Sequence, residues 1–146
     1  MSHARQQIRE AVAAAVTGLA TTGTNVFVNK ITPQEAESLP NLLVYTDGES
    51  SEADAMGASR GLMRALDVVI DATAEGEGID DTLDTIAAEV EVAIAGDAAL
   101  AALVKDITLT SSAVSRSAAG QTPMMGLRLT FSAQYRTRRG VPGTSI

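Results

Sequence analysis

Between Met125 and Tyr135, apolar and polar residues alternate almost without error. Met125, Leu127, Leu129, Phe131, Ala133 and Tyr135 fall on one side; Gly126, Arg128, Thr130, Ser132 and Gln134 fall on the other. A period of two defines a long strand with one face on a core and one facing water or a partner. The strand is placed at Met124–Arg136. At the start of the chain the period is helical. Ala4, Ile8, Ala11, Val12, Ala15, Val16 and Leu19 recur three and four apart, which predicts a helix over Ser2–Leu19. Gly18 and the run Thr21-Thr22-Gly23-Thr24 end it.

The segments between read less regularly. Val26–Ile31 is rich in β-branched residues and predicts a short strand, followed by an irregular connection over Thr32–Pro40. Leu42–Tyr45 is an apolar run short enough for a buried strand. Asp47–Ser59, acidic and containing Gly and Ser, reads as a mobile loop. Leu62–Thr73 predicts a strand with Leu62, Leu66, Val68, Ile70 and Ala72 on one face and Arg64 an exception on that apolar side. Glu75–Gly78 is a turn, and Asp80 is placed as the N-cap of a helix burying Leu83, Ile86, Ala87, Val90 and Ile94 and stopping at Gly96. Asp97 caps a shorter helix holding Leu100 and Leu103. Ile107–Val114 is a strand and Ser115–Thr122 a hairpin loop.

This order predicts an α+β fold: a mostly antiparallel, mixed sheet of about five strands, with the N-terminal helix and two further helices packed largely on one face. Residues 1–136 are expected to form one domain and residues 137–146 a basic, flexible tail. Aromatics are 3% of the chain and Trp is absent, so the core must be aliphatic. The net charge of −7 argues against a protein that wraps nucleic acid, and suits a soluble surface or a wall that repels DNA phosphates. Cys is absent, which excludes disulfides and thiolate metal sites. The polar start, Met1–Glu10, has no signal-like apolar segment, and no apolar run spans a bilayer; a cytoplasmic product with no membrane association is expected.

Chemistry is scarce. His3 lies near the chain's start, away from any triad arrangement, and reads as a solvent-exposed helix residue. Asp47, Glu49, Glu52 and Asp54 lie close in sequence, yet lack the order of a calcium loop. The Gly-rich turn at Glu75–Gly78 is too acidic to cradle phosphate. No catalytic residue, metal ligand or cofactor is therefore assigned. Arg128, Arg136, Arg138 and Arg139 gather toward one terminal region of an acidic chain, and Arg is enriched where surfaces associate. Together with Asp47, Glu49, Glu52 and Asp54 of a second copy, they form the candidate subunit or partner interface.

Four segments carry a family resemblance. They are the opening Arg5-Gln6-Gln7-Ile8-Arg9-Glu10-Ala11-Val12, the Pro-led Leu39-Pro40-Asn41-Leu42-Leu43-Val44-Tyr45 followed by acidic residues, the stretch Arg64–Ala72, and Asp80–Leu103 with the closing strand Gly126–Tyr135. Taken in order, they resemble the tail terminator proteins of long-tailed bacteriophages, the lambda-like minor tail protein family. The residues after Tyr135 have no clear counterpart in that pattern. The resemblance implies a virion structural protein and not an enzyme. It implies a homo-oligomer, a hexameric ring at the head-proximal end of the tail, assembled in the host cytoplasm. Such a ring stops tube polymerisation on the major tail tube protein and offers a surface to the head–tail connector protein. DNA passes through its lumen without specific binding. Two other readings stay open: another neck component, such as a connector or tail completion protein, and a small cation- or ligand-binding module using the acidic segment.

Overall fold

The computed structural model describes residues 2–28, 39–58, 60–117 and 124–146. Helix α1 (Ala4–Ala15) is followed by strands β1 (Val26–Val28), β2 (Asn41–Ala53) and β3 (Gly61–Glu75), then helices α2 (Ile79–Ala95) and α3 (Ala98–Leu103). Strands β4 (Asp106–Ser117), β5 (Met124–Arg138) and β6 (Val141–Ser145) complete the chain. The strands form one mixed sheet in the order β1-β2-β3-β5-β4, with β6 beside the end of β5. β1 runs parallel to β2; every other pairing is antiparallel. The expected α+β class is what the chain adopts, with six strands among the described residues.

The long alternation works as its period requires. Met125, Leu127, Leu129, Phe131, Ala133 and Tyr135 of β5 are all buried, level with Ala74, Ala72, Ile70, Val68, Leu66 and Arg64 of β3. Leu42 and Val44 extend this face across β2. Against it pack Ile8, Val12 and Val16 from the first helical segment, Leu83, Ile86, Val90 and Ile94 of α2, and Leu100 of α3. The core is aliphatic apart from Phe131 and Tyr135. Among the described residues, no helix is long and apolar enough to cross a membrane.

Several boundaries differ from the sequence reading. α1 ends at Ala15, four residues early, because Thr17 turns its hydroxyl back to the Ala13 carbonyl (2.7 Å) and Gly18 adopts a positive φ of 89°. His3 is the N-cap of α1: its Nδ1 accepts the Arg5 backbone N–H at 3.0 Å. The N-cap of α2 is Gly78, with φ of 68°, and Asp80 and Asp81 sit inside the first turn, where they still favour the helix dipole. Asp97 caps α3 as expected, accepting from the Leu100 N–H at 2.8 Å.

Two corrections bear on function. Asp47–Ser59 is not a loop over most of its length: β2 continues to Ala53 and pairs with β3 as far as Leu62. Ser and Glu tolerate an exposed strand once the partner strand supplies the hydrogen bonds, a tertiary effect that overrides local propensity. Nor is the segment 137–146 loose. β5 runs to Arg138, Gly140 turns the chain at a φ of 76°, and β6 pairs back at Thr137↔Ser145 and Arg138↔Val141. The parts of the predicted Val26–Ile31 strand, Thr32–Pro40 connection and Ser115–Thr122 hairpin loop that fall at 29–38 and 118–123 lie outside the described residues.

Candidate assembly surface

The charged residues singled out in the sequence separate into three places. The first is buried. A β-bulge between Thr46 and Gly48 inserts Asp47 as an extra residue and shifts the alternation of β2 by one. Glu49 consequently points to the helix-covered face instead of the open one, level with Leu66. There its carboxylate, 7% exposed, accepts from Arg64 at 3.0 Å, from Arg5 of α1 at 3.4 Å and from the hydroxyl of Tyr135. Arg64 also donates to Thr137 Oγ1 at 3.0 Å and stands 6.0 Å from the Tyr135 ring centre. Burial first, and then the bond to Glu49, raise the Tyr135 hydroxyl well above its ordinary value, so it stays a proton donor to the carboxylate. Glu49 is thus a tie between helix and sheet. It is not a surface contact.

The second place is the middle of the open face. Arg128 of β5 reaches across to Asp71 of β3, with Nε at 2.9 Å from one carboxylate oxygen and Nη2 at 3.3 Å from the other. The Tyr45 hydroxyl donates to the same carboxylate at 3.1 Å, and burial followed by the charge of Asp71 raises its pKa. Tyr45, Asp71 and Arg128 therefore form a short polar row across three strands. Glu52 and Asp47 are exposed on the outer reach of β2, and Asp67 is exposed on β3.

The third place is the end of the sheet where β3 begins and β5 finishes. Asp54 accepts the Gly61 backbone N–H at 2.9 Å and pairs with Arg136. The hydrogen bond from Arg136 is the main reason the Asp54 carboxyl falls below its usual pKa. This pair lies flat over Gly61. A Cβ there would stand 2.6 Å from the guanidinium and 2.7 Å from the carboxylate, so glycine is what lets the pair cross the strand. Beside it, the Arg139 N–H donates to the Arg60 carbonyl at 3.1 Å, which holds the β2–β3 and β5–β6 turns together. A shallow hollow of about 290 Å³ opens here, lined by Ala58, Arg136, Arg138, Arg139, Val141 and Ile146.

The expected pairing between arginines and the Asp47–Asp54 segment of another copy is thus redrawn. Arg136 meets Asp54 within one chain, Glu49 is engaged inside, and Arg128 has Asp71. Among the described residues, Asp47, Glu52, Arg138 and Arg139 form no ion pair. The sequence reading missed Arg60, Asp71 and the Arg5–Arg64–Tyr135 group. Arg64 carried a signal, as a lone charge on an apolar stripe beside a tyrosine in phase with the core. The cation-binding reading loses its geometry, since the four acids diverge and two of them are held by arginines. Among the described residues no group of three His, Asp or Glu side chains could hold a metal ion. His3, with Nδ1 committed to the helix start, is no free base. What remains is a set of charged, hydrogen-bonded surfaces suited to contact.

A small α+β chain with a single helix-covered sheet and charged open surfaces is a class defined by packing. No protein-family model matches the chain, and no curated protein is significantly similar to it. Among solved structures it is similar to a chain of the virion of a native gene transfer agent (GTA) particle. The two share 21% identity over 92% of each chain, with a TM-score of 0.52. The likeness is one of fold, and it runs through nearly the whole of both chains.

Proposed function

We propose that this chain is a structural protein of a phage-like virion, and that within it the chain acts as a tail terminator. The observation that carries this reading is the fold shared, almost end to end, with a component of a gene transfer agent virion. The terminator role is supported by the resemblance of the α1, β2, β3 and β5 segments to that family. On this reading the chain forms a ring, taken as hexameric, on the last layer of tail tube protein, halts further growth and presents a surface to the head–tail connector.

The open sheet face fits such a role. Two of its arginines, Arg128 and Arg136, are already matched by Asp71 and Asp54, while Asp47, Glu52 and Asp67 stay exposed. A polar face with surplus negative charge can border DNA without holding it. Deleting the gene in its phage or particle tests the role. Terminator function predicts tubes of uncontrolled length without attached heads. Tubes of normal length that merely lack heads would favour a connector or completion protein instead.

A further inference from the structure

Charge in this chain is divided along the length of the sheet. From Ala65 to Val104 there is no Lys, Arg or His, while Asp67, Asp71, Glu75, Glu77, Asp80, Asp81, Asp84, Glu89, Glu91 and Asp97 all fall there. From Lys105 onward the balance reverses: Arg116, Arg128, Arg136, Arg138 and Arg139 are offset by Asp106 alone. The fold turns most of this division into two poles, although Arg116, level with Met125, falls at the acidic one and Arg128, level with Asp71, lies between them. β3 and β5 are 15 residues each and pair over their whole length, Gly61 opposite Arg138 and Glu75 opposite Met124. At about 3.3 Å per residue, the two ends stand roughly 45 Å apart.

At one end Arg138 and Arg139 line the hollow and Arg60 stands beside it, its carbonyl accepting the Arg139 N–H and its guanidinium donating to the Gly57 carbonyl at 3.0 Å; among the described residues none of the three forms an ion pair. At the other, Glu75, Glu77, Asp80, Asp81 and Asp84 are exposed and likewise without a cationic partner among those residues. The separation exceeds the screening length of about 10 Å at 0.1 M salt several-fold, so the poles cannot neutralise each other within one molecule. Each pole matches the other in a second copy.

We propose that copies of this chain associate head to tail, the Arg60–Arg138–Arg139 end of one against the Glu75–Asp84 end of the next. Arginine forks and carboxylates make charge-assisted, bidentate contacts that fix orientation as well as attraction. Like ends repel, so the surplus negative charge of the chain disfavours a two-fold pairing through the acidic poles. The contact is heterologous and therefore closes into a ring or continues as a filament, depending on its rotation. This deepens the ring reading above by naming the surfaces that meet.

Charge reversal tests it. Sedimentation velocity at 50 mM and 500 mM salt would be run on the wild-type chain, on Arg138→Glu/Arg139→Glu, on Asp80→Lys/Asp81→Lys, on the two variants mixed, and on the chain carrying all four changes. Circular dichroism would verify folding, with the milder Arg138→Gln/Arg139→Gln in reserve. The expected result is wild-type association at low salt that high salt dissolves. Each single-pole variant should lose at least tenfold in association, and the mixture and the four-fold variant should recover it. A wild-type chain that stays monomeric at low salt, or pole variants that associate as well as wild type, would overturn the contact. So would a mixture that fails to recover association. The terminator role fails separately. Chains that associate end to end yet leave tail tubes bare contradict that role alone, and tubes capped equally well by Arg138→Glu/Arg139→Glu contradict only this contact.

Discussion

Glu49 decides how the first helix sits on the sheet. Three donors from three elements, Arg5, Arg64 and Tyr135, converge on one carboxylate that is almost out of water. Replacing it by Leu leaves Arg64, only 13% exposed, charged and unanswered. Stability should fall by about 3 kcal/mol, and Glu49→Leu with Arg64→Met should restore much of it, because apolar packing can replace a buried pair. Urea unfolding of both variants measures this. Nearby, His3 makes α1 sensitive to acid. Burial first, and then Arg5 and Arg64, lower its pKa below 6.5, so the folded chain holds the neutral ring whose Nδ1 caps the helix. That contribution is whole above pH 6.5 and fades as pH falls from there through the lowered folded value. Thermal unfolding between pH 7.5 and 5 should show a loss of about 1 kcal/mol in the wild type, the size of one N-cap. His3→Asn, which caps without titrating, should remove most of that slope. An equal slope in the variant would mean the proton goes elsewhere.

At the scale of elements, β6 is the part whose importance is easiest to underrate. Val141–Ser145 pairs with the end of β5, and the Gly143 carbonyl accepts from Gln7 of α1 at 2.7 Å, so the strand links the sheet's end to the helix layer. Removing residues 141–146 should lower the melting temperature by about 3 °C, in line with a loss near 1 kcal/mol. A truncated chain that melts with the wild type would restore the picture of a loose tail. The sequence makes β5, α1 and α2 legible because their apolar residues keep one period over ten or more positions. It makes β6 illegible because Val-Pro-Gly-Thr-Ser has no period, and only the neighbouring strand edge gives it a partner. The inward turn of Glu49 was hidden for a related reason. Strict alternation from Leu42 puts position 49 on the open face, and the one-residue slip at Asp47 that reverses it leaves little trace beyond the adjacent Gly48. Charge pairs such as Asp71–Arg128 and Asp54–Arg136 depend on strand register, which a single sequence does not print.

The molecule as a whole is a long sheet with helices over one face, a polar open face, and ends of opposite charge. Its buried tie at Glu49 and its internally matched Arg128 and Arg136 hold the fold, and its exposed poles are the surfaces proposed for contact. The proposed role is therefore assembly, as the ring that ends a tail tube. The most direct measurement is negative-stain electron microscopy of the purified chain mixed with tail tubes of its own phage or particle. The terminator role predicts rings, with one end of each tube capped and further elongation stopped. Small particles that leave both tube ends bare and growing would contradict it.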